Sequence, residues 1–128
     1  MISDTAIPHP SVTLHTHPDD ATLAALLAEA WVFCYPSVYE GFGIPYIEAM
    51  AAGTAIVTSP YAGAGEVLKN GRYGIICDDD RLADDLLRLL DCRELSQEFE
   101  ARGLERAPAF SDNAIAECYL QIYRNVVL

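Results

Sequence analysis

Basic side chains are scarce in this sequence: 8 Lys and Arg stand against 19 Asp and Glu, a formal net charge of −11 over 128 residues. A nucleic-acid-binding domain presents a basic face to phosphate. An anionic membrane surface is met by a cluster of Lys and Arg. No such cluster occurs, so both partner classes are set aside. Long apolar runs are missing as well. None reaches the 18 or more residues that span a bilayer, so no transmembrane segment is expected. The opening Met1-Ile2-Ser3-Asp4 lacks the basic region and apolar stretch of a secretion signal. The four cysteines, Cys34, Cys77, Cys92 and Cys118, form no close pair, which argues against zinc. They are expected to be reduced and mostly buried, in a cytoplasmic setting. No cluster with metal-ligand spacing is seen, so no metal is expected.

What is present is apolar material for a core. Hydrophobic residues make up 52% of the chain, and the length suits one domain. Residues 1–11, with Pro8 and Pro10, read as a flexible leader, and 12–128 as the folded domain. Val12 to Leu14 is a short strand candidate. Asp19 or Asp20 can cap a helix with Leu23, Leu26, Leu27 and Ala30 on its apolar positions. Trp31 to Tyr35 is a continuous apolar run, as expected of a parallel strand buried on both faces. Pro45 suits the first turn of a second helix, which Gly53 can end. Thr54–Thr58 and Gly74–Cys77 are further strands, with a short helix around Glu66 and a turn at Asn70-Gly71 between them. One of Asp78, Asp79 and Asp80 caps a helix presenting Leu82, Leu86, Leu89 and Leu90. Another helix covers roughly 93–106 and is broken by Pro108. Ser111 caps a last helix with Ile115, Cys118, Ile122 and Tyr123 expected to face inward.

Strands that alternate with helices imply an α/β fold with a parallel sheet. Ligands in such sheets bind beyond the carboxyl ends of the strands. The loop after Tyr35 is the richest of these. Ser37, Glu40, Gly41 and Gly43 lead directly into a helix start. Glycines let a backbone approach a ligand closely, and free N–H groups at a helix N-terminus favour an anion such as a phosphate. Glu40 precedes the turn, and Glu48 in the first turns of the helix leans back towards it. The two carboxylates then flank one helix mouth and can accept from sugar hydroxyls. Plain structural readings stand beside this one. Glu48 complements the helix dipole, Glu40 is a solvated loop residue, and Gly41 and Gly43 serve the turn.

The run Pro36-Ser37 through Glu40-Gly41-Phe42-Gly43, then Pro45, Glu48-Ala49-Met50-Ala51, Gly53 and later Glu66-Val67, resembles glycosyltransferase family 4. These are retaining GT-B enzymes with two Rossmann-like domains. Glu40 and Glu48, separated by seven residues, match the family's paired-glutamate motif. The resemblance covers roughly residues 12–125 and is most specific between 31 and 77. It implies a Rossmann-like, N-terminally incomplete GT-B C-terminal domain that binds a UDP-, GDP- or ADP-sugar. Glu40 would lie by the donor sugar's hydroxyls as the catalytic residue, and Glu48 would hold the ribose. Backbone amides of Gly41, Phe42, Gly43 and Ile44 would face the sugar and diphosphate. Thr16 and His17, after the first strand candidate, would meet the base; they also read as a polar loop ahead of a helix. Glu66 would start a helix that supports the site. The resemblance further implies hexosyl transfer with retention, without a metal or cofactor. Donor phosphate oxygens would help to take the acceptor proton. The two glutamates would position the donor, unlike the acid and water-activating base of a glycosidase.

The sequence also departs from that family. No N-terminal acceptor domain is present. The Arg and Lys with which the family's C-terminal domain meets the diphosphate are not matched by Lys69 or Arg72. A missing N-terminal domain or partner chain is therefore expected, through which the protein could sit peripherally at a membrane. Two alternatives stand beside the transferase reading. One is a catalytically silent GT-B remnant that serves as a binding or interaction module. The other is a GT-B-like nucleotide-sugar epimerase.

Overall fold

The computed structural model describes residues 9–39 and 41–126. Among these residues six α-helices and three strands follow one another. They are α1 (Asp20–Glu29), β1 (Val32–Tyr35), α2 (Ile44–Ala51), β2 (Ala55–Thr58), α3 (Ala62–Val67), β3 (Ile75–Ile76), α4 (Leu82–Asp91), α5 (Arg93–Arg106) and α6 (Asp112–Val126). A 3₁₀ turn, Ala107–Phe110, joins α5 to α6. The sheet is parallel in the order β1-β2-β3, with Val32 opposite Ala55 and Val57 opposite Ile75. This is the expected α/β, Rossmann-like arrangement of a parallel sheet flanked by helices.

The alternation of side chains along each strand divides the core between the two faces of the sheet. On one face Ile56, Phe33 and Tyr35 pack with Leu27 of α1, Tyr46, Ala49 and Met50 of α2, and Val67 and Leu68 at the end of α3. On the other, Ala55 and Val57 pack with Cys77, Leu89 of α4 and the flanking Leu95 and Phe99 of α5. Every residue of β2 is buried, because it is the central strand and both faces are covered. Thr54, just ahead of β2, donates its hydroxyl to the Leu27 carbonyl at 2.6 Å and ties the end of α1 to the start of the sheet.

Several expectations need correction. Val12–Leu14 is not a strand; the backbone there is irregular apart from a single bridge residue at His15. A strand exists only through its partner, and an apolar triplet cannot specify one. The Trp31–Tyr35 run is a strand from Val32, but it is not buried on both faces: β1 is an edge of the sheet, and Cys34 is exposed. Cys118 is exposed as well, so the cysteines are not mostly buried, although all four are free thiols. Arg81, not one of the three aspartates, occupies the N-cap of α4. Asp79 instead accepts from the Ser59 hydroxyl at 2.7 Å, which pins the turn after β3 to the end of β2. On α4, Leu90 is exposed while Leu89 is buried. Ser111 does cap α6, accepting from the Ala114 N–H at 3.3 Å. Yet no residue of α6 is buried, and Ile115, Cys118, Ile122 and Tyr123 all face outward. Its apolar periodicity is real, but among the described residues it meets chiefly the adjoining 3₁₀ turn and buries none of its apolar side chains. Of the leader, residues 9–11 form an exposed turn closed by the Val12 N–H on the His9 carbonyl at 3.0 Å. Residues 1–8 lie outside the described part.

Candidate functional site

The carboxyl end of β1 feeds the segment Pro36–Gly43, which leads straight into α2. Gly43 is the N-cap of α2 and takes a left-handed conformation, φ 93°. A side chain is excluded there twice over. The left-handed region is costly for any residue with a Cβ. An added Cβ would also lie 2.6 Å from Cδ2 of Tyr46. The Gly43 carbonyl receives the Tyr46 N–H at 3.1 Å, so the turn and the first helical turn close together. Pro45 stands in the first turn, as the sequence suggested. The N-cap has no side chain to satisfy the first helical N–H groups, and Phe42 and Ile44 on either side of Gly43 are exposed. At Gly41 the space that a Cβ would enter is open, with nothing within 4 Å. The result is a short backbone arc with room beside it and free donors at its helical end.

The arc is supported from below. A Cβ on Gly63, near the start of α3, would come to 3.1 Å from the Phe42 carbonyl and 3.4 Å from the Gly43 nitrogen. Only a glycine lets the two backbones approach so closely. Tyr46 is fully buried beneath the arc, and its hydroxyl meets Thr58 Oγ1 at 3.0 Å. Gly63, Tyr46 and Thr58 carry no signal of their own in the sequence. They matter because the fold stacks α2 and α3 over the carboxyl end of β2.

Glu48, the fifth residue of α2, is exposed. It lines a groove of about 550 Å³ between α1 and α2, along with Asp20, Leu23 and Leu27 of α1, Ala51 of α2 and the C-cap Ala52. The groove is mostly apolar, with two carboxylates, Asp20 and Glu48, in its lining. Thr16 and His17 are exposed in the bend that leads into α1, and His17 has a positive φ of 50°. His17 stands three residues before Asp20, which lines the same groove as Glu48. Gly41–Ile44 stand at the mouth of α2, and Glu48 lines the groove, whose lining residues do not include Thr16 or His17. Glu40 lies outside the described residues. Glu66 does not start a helix: it is the penultimate residue of α3, exposed and paired with Lys69 at 3.0 Å.

No Lys or Arg precedes Lys69 in the chain. Most of the later ones are engaged elsewhere. Arg81 and Arg88 flank the buried Asp85 at 3.5 and 3.8 Å, Arg93 pairs with Glu100, and Arg102 with Glu98. Arg72 lies over the Tyr73 ring. The backbone N–H groups and dipole of α2 contribute positive potential at the arc, worth about 0.3–1 kcal/mol at an exposed helix end, while Arg106 stands behind the Phe110 ring that meets Phe42. Among the described residues no group of three or more His, Cys, Asp and Glu converges to hold a metal. Cys77 is no ready nucleophile, since burial, with the Asp85 carboxylate beside it, pushes its thiol up. Among the same residues no helix is long and apolar enough to cross a membrane.

The arrangement has clear relatives. The alpha-maltose-1-phosphate synthase of Mycolicibacterium smegmatis is 40% identical over 111 residues, 79% of this chain and 29% of that protein. The MMP alpha-(1->4)-mannosyltransferase of Mycolicibacterium hassiacum is 39% identical over 113 residues, 84% of this chain and 28% of the relative. The phosphatidyl-myo-inositol mannosyltransferase of Mycobacterium leprae is 36% identical over 112 residues, again 84% of this chain and 30% of the relative. The chain spans less than a third of the length of these curated relatives. The family model for glycosyl transferases group 1 matches residues 6–106, which contain the sheet, the glycine arc and the α1–α2 groove. Given that match, the chain belongs to the glycosyl transferases group 1 family.

Proposed function

We propose that this chain is the donor-binding part of a retaining GT-B glycosyltransferase of family 4, which moves a hexosyl group from a nucleotide-diphosphate sugar to an acceptor. The observation that carries this reading is the arc Gly41–Ile44. It combines an uncapped helix N-terminus, a left-handed Gly43 and open space at Gly41, one helical turn from a groove rimmed by Glu48. In this reading the amides of Gly41, Phe42, Gly43 and Ile44 face the donor sugar and diphosphate. Glu40 accepts from the sugar hydroxyls, and Glu48 accepts from both ribose hydroxyls. The base lies in the α1–α2 groove, against the bend at Thr16 and His17. The names of the relatives favour a hexose, mannose in two of the three.

Binding of this kind orients the donor and holds its anomeric carbon for attack. Charge neutralisation is the weak point. With Arg106 engaged by the Tyr73 and Phe110 rings, most of the diphosphate charge has to be met by groups from an N-terminal domain or partner chain, which also brings the acceptor. The chain alone is therefore a weak donor binder and not a complete catalyst.

Calorimetric titration with UDP-, GDP- and ADP-sugars, alone and with a companion N-terminal domain, tests the reading. Saturable binding that strengthens with the companion is expected. Glu48→Ala should weaken it about tenfold or more, since hydrogen bonds to a charged acceptor are worth about 1.5–3 kcal/mol. Because Glu48 is exposed, its loss should leave stability within about 0.5 kcal/mol. Absence of saturable binding in both formats would overturn the proposal.

A further inference from the structure

Arg106 ends α5 where the chain turns into the 3₁₀ segment, and none of the ion pairs found among the described residues involves it. Its guanidinium carbon lies 4.6 Å from the centroid of the Phe110 ring and 5.6 Å from that of Tyr73. Its Nε is buried without a hydrogen-bond partner. A buried donor with no acceptor is a standing cost, so the placement calls for a compensating role. A flat cation between two rings supplies one, because it is attracted to both π faces.

The stack leads from the core to the arc. Tyr73 packs on the Ile56 and Met50 side of the sheet, and its N–H donates to the Leu68 carbonyl at 3.1 Å. Phe110, on the other side of Arg106, meets Phe42 edge to face, with centroids 6.1 Å apart and planes at 75°. Phe42 is the residue whose carbonyl rests against Gly63. The arc is thus held from two directions, by the α3 backbone below Phe42 and by the Phe110 ring at its side. Phe42 is exposed, so its ring has no deeper socket to fix it.

We infer that Arg106 is a positioning residue for the donor-facing arc: by locking Phe110 between itself and Phe42, it sets the direction of the Gly41–Gly43 backbone amides. Arg106 touches no donor atom; it acts through Phe110 and Phe42. The word donor-facing rests on the function proposed above, whereas the mechanical link from Arg106 to the arc does not. A plain alternative is that Arg106 merely complements the dipole at the end of α5. In that case any positive charge would serve, and Phe42 would not respond.

Backbone ¹⁵N relaxation on the full chain separates these readings, with wild type, Arg106→Met, Arg106→Lys and Phe110→Leu compared and the β2 amides as an internal reference. In wild type, order parameters at Phe42 and Gly43 should match those of β2, at about 0.85. In Arg106→Met and Phe110→Leu they should fall towards about 0.6 while β2 is unchanged. Arg106→Lys, with a compact charge and no planar face, should restore only part of the order. Three results overturn the inference: a wild-type arc already as mobile as the variants, an unchanged arc in both Arg106→Met and Phe110→Leu, or full rescue by Lys. Loss of order in β2 together with the arc, in the conservative Phe110→Leu as well, would make the stack a general stability element and also overturn it. A parallel titration with a nucleotide sugar should show about three- to tenfold weaker binding for Arg106→Met, the scale of one cation–π contact. If wild type binds no nucleotide sugar, the donor reading falls, while the relaxation data still decide the mechanical link.

Discussion

The Tyr46 hydroxyl and Thr58 Oγ1 lie 3.0 Å apart in the fully buried interior, directly below the arc that opens α2. Thr58 has one hydroxyl proton and donates it to the Tyr35 carbonyl at 2.5 Å. Tyr46 is therefore the donor to Thr58. One relay joins α2, β2 and the last residue of β1, at the carboxyl ends of two adjacent strands. The two links have unequal consequences. Tyr46→Phe removes a donor but leaves Thr58 bonded to Tyr35, and should cost about 1 kcal/mol. Thr58→Val deprives both the Tyr46 hydroxyl and the Tyr35 carbonyl of this partner, and should cost about 2–3 kcal/mol. Urea unfolding of both variants measures this, and a Thr58→Val change milder than Tyr46→Phe would refute the assigned direction.

Gly41 and Gly43 stand two residues apart in the same arc, but only one is structurally obligatory. Gly43→Ala meets both a positive φ and the Tyr46 ring, and should destabilise by about 2 kcal/mol or more. Gly41→Ala places a methyl in open space and should stay within about 0.5 kcal/mol of wild type. If Gly41 lies against the donor, that same methyl should nevertheless weaken nucleotide-sugar binding. Melting curves paired with titrations check both halves.

Helix α6 contributes no buried residue. Removal of the chain after Ser111 should therefore leave the urea midpoint nearly unchanged, within about 1 kcal/mol, since little apolar area is re-exposed. A large loss of stability would show that α6 packs in solution in a way this structure does not contain.

Asp19 caps α1 by accepting from the Thr22 N–H at 2.8 Å. Hydrogen bonds from Thr22, side chain and backbone, hold its carboxyl below the ordinary aspartate value. A lowered folded-state pKa means that the stabilisation is present above the unfolded value and is lost as pH falls through the folded one. The cap should therefore weaken only below about pH 4, the unperturbed aspartate range. Asp19→Asn keeps an acceptor at the N-cap and should remove that acid dependence of α1 order. Amide exchange at Thr22 and Leu23 between pH 3 and 6 would reveal it.

Local signals were legible where a residue type has few places to go. Asp19 ahead of an apolar helix, Pro45 in a first helical turn, Asn70-Gly71 in a turn and Ser111 at a cap all stand where they were expected. Burial was less legible. The same alternation of apolar residues describes α2, which is packed, and α6, which is not. The apolar run of β1 reads like that of β2, but β1 is an edge and Cys34 is exposed. Periodicity tells which face of an element is apolar; it does not supply the neighbour that covers it.

The sequence by itself determined the alternating α/β order, the parallel sheet and the run from Pro36 to Glu48 that marks the family. Those features depend on local propensity and short spacing, which the chain carries in contiguous stretches. Tertiary structure alone decided that Gly63 rests under Phe42, that Tyr46 reaches Thr58, and that Arg106 is stacked between Tyr73 and Phe110. Apart from the Arg106–Phe110 pair, these contacts join residues 12 to 33 positions apart, and no local rule pairs them. They arise only when α2, α3 and the end of α5 converge on one face of the sheet, where close packing leaves each side chain a single place to go.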